Sequence, residues 1–137
     1  MDKGLLQEIR RRAVGRCEYC RMPEAATTIK HVLDHIVARQ HHGPTIVENL
    51  ALCCDRCNEF KGPNLAGIDP DTGQLTRLYH PRRDRWGEHF RWDGARVVGL
   101  SDVGRTTIDV LAINHPFRVA ARRALLDEGE FDFDSPG

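Results

Sequence analysis

Three observations predict an α+β fold. Two β-prone runs, 27–33 and 49–53, lead directly into a helical run at 55–61. That group is bracketed by two Cys-x-x-Cys pairs. The stretch 63–126 then mixes short β-prone runs with helical ones. At 137 residues the chain has the length of one domain. The division read from the sequence is a single domain over 1–126, with a motif core at 17–62, an extension at 63–126 and an acidic, disordered tail at 127–137.

Each element has a local reason. Leu5, Leu6, Ile9 and Ala13 recur at helical spacing, so a first helix is expected over about 4–15, ending near Gly15. Cys17-Glu-Tyr-Cys20 makes a tight turn, and Pro23 blocks helix continuation. Thr27–Leu33 is rich in β-branched residues and reads as a strand; 37–48, with Gly43-Pro44, reads as a loop. Asn49–Cys53 is a second strand, and Asp55–Lys61 a helix stopped by Gly62-Pro63. Beyond it lie a turn at 67–73, a β-prone run at 74–79, and a brief helix around 82–88. Strands at 89–92 and 96–100, joined at Asp93-Gly94, precede helices at 103–113 and 117–126.

Composition narrows the class. The chain is 40% apolar and 29% charged, with mean hydropathy −0.49, which suits a soluble globular protein. No apolar run approaches the roughly 20 residues that span a bilayer. The opening MDKGLLQEIRRR does not read as a signal peptide, so a cytoplasmic chain is expected. The zero net charge hides an asymmetry: Asp127, Glu128, Glu130, Asp132 and Asp134 face no base, which leaves +5 on residues 1–126. Seventeen of the twenty bases are arginine, whose planar fork suits phosphate. Codon bias is an equal explanation, so composition permits a nucleic-acid partner and does not establish one.

The cysteines say more. Five of them, with no export signal, argue against disulfides and for metal or catalytic use. Cys17-x-x-Cys20 and Cys54-x-x-Cys57 supply four thiolates from two tight turns, the donor set of a closed, structural zinc site. The competing reading is buried apolar cysteines. The 33 residues between the pairs exceed a simple zinc ribbon, so something is inserted there. Cys53 is left over, as packing. Within the insertion, Asp34-His35 places a hard-metal ligand beside a general base. Asn58, directly after the second pair, offers a hard amide oxygen. Asp34 and Asn58 are therefore expected to share one Mg²⁺ or Mn²⁺, distinct from the zinc.

The order CEYC, then VLDHIVARQHHGPTIVENLALCCDRCNEFKG, resembles the HNH endonucleases, which have the ββα-metal (His-Me finger) fold. The likeness is demanding over about 17–62 and extends more loosely through HPRRDRWGEHFRWDG and VGRTTIDVLAIN. It implies a ββα-metal hairpin held by a four-cysteine zinc site, with helical and β additions. It also implies that His35 is the base activating water, that Asp34 ligates the catalytic ion, and that Asn49 braces the loop between the strands. Asn58 occupies the third position, where many members have histidine.

The function expected from this is divalent-metal-dependent hydrolysis of nucleic-acid phosphodiesters, DNA above all. Lys61, Arg39, Arg82 and Arg83 are the candidate phosphate contacts, each weighed against a plain solvated side chain. His31, His41 and His42 receive no firm role, and Trp86, Phe90 and Trp92 read as core. No base-reading element is visible. The rivals are a non-catalytic zinc module that binds nucleic acid or protein, and a nuclease directed at RNA.

Overall fold

The computed structural model describes residues 3–129 and 133. The first helix, α1, is Lys3–Arg12. It lays Ile9 and Ala13 on Leu50 and Leu52, all buried. Full burial of such aliphatic side chains contributes about 1.5–3 kcal/mol each. Arg12 fastens the helix by donating to the carbonyls of Val47 and Leu50 at 2.9 and 2.5 Å.

Strands β1 (Val32–His35) and β2 (Leu50–Cys53) form an antiparallel pair with Asp34 opposite Ala51 and His35 opposite Leu50. The first strand starts five residues later than the β-branched run suggests. Glu24–Ala26 form a 3-10 turn, and the Thr27 hydroxyl bonds the carbonyls of Glu24 and Ile29. Thr27 is thereby held in a bend before pairing begins. Helix α2, Asp55–Lys61, follows β2 at once and stops at Gly62, whose φ is +51°. The chain order across this segment is strand, strand, helix.

The second half carries two more antiparallel pairs: β3 (Ala66–Ile68) with β4 (Leu75–Arg77), and β5 (Phe90–Asp93) with β6 (Arg96–Gly99). Strand β3 lies where the sequence reads as turn. Its Gly67 is needed because a Cβ there would sit 2.4 Å from Val110 Cγ2 of the helix packed against it. Helix α3 is short, Trp86–His89, while Arg83 and Asp84 turn back on the His80 carbonyl. Helix α4 runs Asp102–Val110 with Ser101 as its cap, and α5 runs Pro116–Glu128. Proline at the first turn and left-handed Gly129 at the end of α5 are the expected punctuation. The tail expectation falls mostly outside the described residues. Of its described members, Asp127 and Glu128 belong to α5, and Phe133 is buried with its ring 4.9 Å from that of Trp92.

A single buried cluster runs from Cys17 and Tyr19 through Ala51 and Cys57 to Tyr79, Phe90, Val97 and Ile113. Trp86 packs on it and donates from Nε1 to the Tyr19 carbonyl at 2.8 Å. The core aromatics expected of the second half thus rest on the first cysteine turn. No described helix is long and apolar enough to cross a membrane.

Candidate functional site

The four predicted ligands converge. The sulfurs of Cys17, Cys20, Cys54 and Cys57 all lie within 4.8 Å of one another and all four residues are buried. Cys20 and Cys54 Sγ are 3.7 Å apart, against about 3.8 Å for the edge of a tetrahedron with Zn–S bonds of about 2.3 Å. Each pair is a true knuckle: the Cys20 amide points at Cys17 Sγ (3.5 Å) and the Cys57 amide at Cys54 Sγ (3.4 Å). Burial pushes the Cys17 and Cys57 thiols up, while hydrogen bonds from the other three sulfurs hold Cys20 down. Four buried sulfurs cannot all ionise unless a cation repays their desolvation. The donor set and spacing fit structural zinc. Cys53 is buried on β2 outside this group.

At the end of β1, His35 is half-buried and its Nε2 lies 2.9 Å from Thr45 Oγ1. The loop that carries Thr45 is fixed from below by Asn49. Its Oδ1 accepts from the Val37 amide (2.9 Å), and its Nδ2 donates to the carbonyls of Val37 (3.0 Å) and Pro44 (2.9 Å). One buried amide thus closes both ends of 37–44. Gly43 is obligatory there, since a Cβ would meet the Val37 oxygen at 1.7 Å.

Asp34, beside His35, is 4% exposed. The Tyr19 hydroxyl donates to its Oδ2 at 2.8 Å, and Lys61 Nζ lies 3.2 Å from the same oxygen and 3.3 Å from Oδ1. Burial raises the Asp34 carboxyl above the usual range, with Lys61 pulling the other way. Lys61 also donates to the carbonyls of His35 and Ile36 at 3.4 and 3.2 Å, so it pins the strand end that bears the imidazole. Asn58 is exposed, one turn before Lys61 on α2. Among the described residues, the cysteine set is the only group of three or more His, Cys, Asp or Glu placed to hold a metal.

Of the expected phosphate contacts, Lys61 lies below the surface and Arg82 is largely covered. Lys61 is only 2% exposed because its ammonium is drawn into the hairpin by Asp34 and two carbonyls. Arg82 is mostly buried and ion-paired with Glu18 of the first knuckle. Glu18 in turn accepts from the Leu52 amide at 2.8 Å. Burial moves the Arg82 guanidinium down to about 10. Arg39 and Arg83 are exposed. His31 is buried against the Met22 carbonyl at 2.8 Å.

Three contributors escape a sequence reading. Thr45 gives no signal beyond its place in the loop. Tyr19 sits inside the first knuckle, where its hydroxyl's reach to Asp34 depends on tertiary packing. Arg118, from α5, donates to Cys57 Sγ at 3.0 Å and lies 3.7 Å from Cys54 Sγ. Sixty-one residues separate it from Cys57.

Residues 17–64 match the family model described as HNH endonuclease. No curated protein and no solved structure matches the chain.

Proposed function

Residues 17–64 being an HNH endonuclease domain, we propose that the chain is a metal-dependent endonuclease that hydrolyses nucleic-acid phosphodiesters, DNA by preference. His35 is its general base, and Asp34 and Asn58 hold the catalytic divalent ion. The observation that carries this reading is the placement of His35: half-exposed at a strand end, oriented through Nε2 by Thr45, on a loop clamped by Asn49.

The oxygen donors suit a hard ion. Asp34 keeps lone pairs beyond those used by Tyr19 and Lys61, and the Asn58 amide is open to solvent. Asn58 and Lys61 lie three apart on α2, hence on adjoining faces, and Lys61 reaches Asp34. When bound there, Mg²⁺ or Mn²⁺ supplies Lewis-acid stabilisation of the phosphate and leaving oxygen. The chain itself supplies the rest. His35 accepts a proton from water at an imidazole nitrogen, Thr45 sets the ring's orientation, and Lys61 anchors the backbone beneath it. The arrangement is rigid because zinc would hold the knuckle on either side of the hairpin. Arg39, exposed in the loop after His35, is the remaining phosphate contact near the base, with Arg83 farther along the chain. Affinity should fall steeply with salt.

One observation favours a different reading. Asp34 is buried and already faces an ammonium, as expected of a hairpin kept for binding rather than cleavage. A nicking assay on supercoiled plasmid with Mg²⁺ or Mn²⁺ separates the two. The parent should cut, and His35→Ala should lose at least about 10²-fold in rate while keeping its zinc and its melting curve. A parent that binds DNA without cutting it under either ion supports the binding module. A His35→Ala variant that cuts like the parent overturns the assigned base. Single-stranded DNA and RNA run alongside decide the substrate.

A further inference from the structure

The family match ends at residue 64, yet the cysteine cluster is completed from outside it. Helix α5 delivers Arg118 against the sulfurs of Cys57 and Cys54, while the other arm of the same guanidinium donates to the carbonyls of Leu111 (2.6 Å) and Ala112 (3.1 Å). One turn later Arg122, 0% exposed, donates to the carbonyls of Ala95 and Ile113 and lies over the Trp92 ring. Among the described residues neither arginine has a carboxylate partner. A buried guanidinium facing only carbonyls is costly unless a negative charge lies near.

Zinc bound by four thiolates carries a net charge of about −2, and the two guanidiniums carry about +2. We propose that Arg118 is an outer-sphere residue of the metal centre. It hydrogen-bonds the ligand sulfurs, offsets their charge together with Arg122, and makes docking of the C-terminal helix depend on metal occupancy. The inference rests on the four-cysteine zinc reading and goes beyond it, because zinc then also holds residues 116–128 against a motif that is complete without them.

A cavity of about 500 Å³ gives the arrangement a kinetic side. It opens between α2 and α5, with Cys20 and Cys54 in its wall and Phe60 and Phe117 also lining it. Phe117 is 82% exposed. Arg118 lines it too, so a chelator approaching through this cavity meets the guanidinium beside Cys54, the one ligand that both the cavity and Arg118 touch.

The test uses the full chain loaded with zinc and titrated with a chromogenic chelator. The parent should hold one zinc per chain; if it holds none, the zinc reading itself fails, and the Arg118 variants are not needed to show it. With zinc bound, Arg118→Gln should weaken zinc affinity by about 10- to 100-fold and release the metal faster. Arg118→Lys, which keeps the charge but loses the fork, should fall between. Arg123→Gln, an exposed neighbour on the same helix, should match the parent. Backbone hydrogen exchange over 116–128 should rise in zinc-saturated Arg118→Gln while β1 and β2 stay protected. Zinc affinity within twofold of the parent in both Arg118 variants overturns the proposal. If the Gln variant does not fold, the Lys variant decides alone: several-fold weaker binding supports it, and parental binding overturns it.

Discussion

Between Cys17 and Gly62 the interior sets buried polar and charged groups among apolar strand residues: Glu18, His31, Asp34, Asn49 and Lys61 are all buried there, among five thiols. Between Leu78 and Ile113 the interior is apolar and aromatic, with Tyr79, Phe90, Val97, Leu111 and Ile113 stacked around Trp86 and Trp92. A polar interior is costly to bury and tolerates no missing partner. It is also the kind that fixes an imidazole and a carboxylate in one geometry. Among the described residues the second half buries a single acid, Asp69, paired with Arg105, and it gives the motif something to lean on: Trp86 on the Tyr19 carbonyl, Arg118 on the sulfurs. The candidate site and the apolar packing behind it are divided between the halves, and the division can be broken from either side.

The largest break is at the metal. Cys57→Ser, or chelation of the parent, should remove the cooperative melt of the hairpin or lower its midpoint more than any other change considered, since structural zinc supplies folding free energy directly. Circular dichroism melts with and without chelator measure this. A melt indifferent to both treatments would mean that the polar half stands without a cation.

Next comes the buried ion pair. Lys61→Met leaves the Asp34 carboxylate without its ammonium, and removing one partner of such a pair costs about 3–5 kcal/mol near pH 7. The loss should depend on pH, and its sign can be worked out. Burial already raises the folded carboxyl above its unfolded value, and losing Lys61 raises it further. A group with a raised folded value opposes folding above that value, so the variant should regain stability as pH falls from there towards about 4. Urea melts at several pH values decide it; a deficit that stays constant with pH would mean that Asp34 is not the group left unpaired.

Asn49→Ala is smaller in stability and larger in its consequence for the site. It removes three hydrogen bonds and strands the Val37 amide, which costs about 2–3 kcal/mol. The loop bearing Thr45 then loses its clamp, so nicking should fall about 10²-fold while zinc content is unchanged. Equal activity in variant and parent would remove Asn49 from the positioning of His35.

The difference between the halves also explains what the amino-acid order reveals. Cys17, Cys20, Cys54 and Cys57 are legible because knuckle chemistry is local: two residues of spacing set the turn, and the ligand type names the metal. The strand β2 and the helix α2 are legible for the same reason, through a β-prone run and the Gly62-Pro63 stop. Thr27–Leu33 misleads because its first residues are held in side-chain hydrogen bonds to the backbone that periodicity does not register. Lys61 misleads in the opposite sense. On a helix end it looks solvated, and only the tertiary approach of α2 to β1 turns it inward. Arg82 looks like part of a basic patch until Glu18 is found folded beneath it. Arg118 is invisible from sequence, because no spacing rule links a helix near the C-terminus to a sulfur 61 residues earlier.

The smallest expected effect lies in the apolar half and runs opposite to that of Asp34. Asp69 accepts from Arg105 through both oxygens, at 3.1 and 2.8 Å, with further bonds from the Asp71 amide and the Thr72 hydroxyl. The Arg105 hydrogen bonds, helped by the Asp71 amide, hold its carboxyl down to about 2. A carboxyl lowered on folding stabilises the fold above its unfolded value of about 3.9, and that support is lost as pH falls through about 2. Both tryptophans, Trp86 and Trp92, lie in this half, so their fluorescence reports on it. Arg105→Gln should change the melt at pH 7 less than the Lys61 or Asn49 variants, because Arg105 is partly exposed and screened. It should also flatten the fluorescence-detected loss of stability between about pH 4 and pH 2. Subtracting the variant's curve from the parent's isolates Asp69 from any acid effect at the cysteine cluster, which both share. Parallel curves over that interval would mean that the Asp69–Arg105 pair carries none of the acid sensitivity that the tryptophans report.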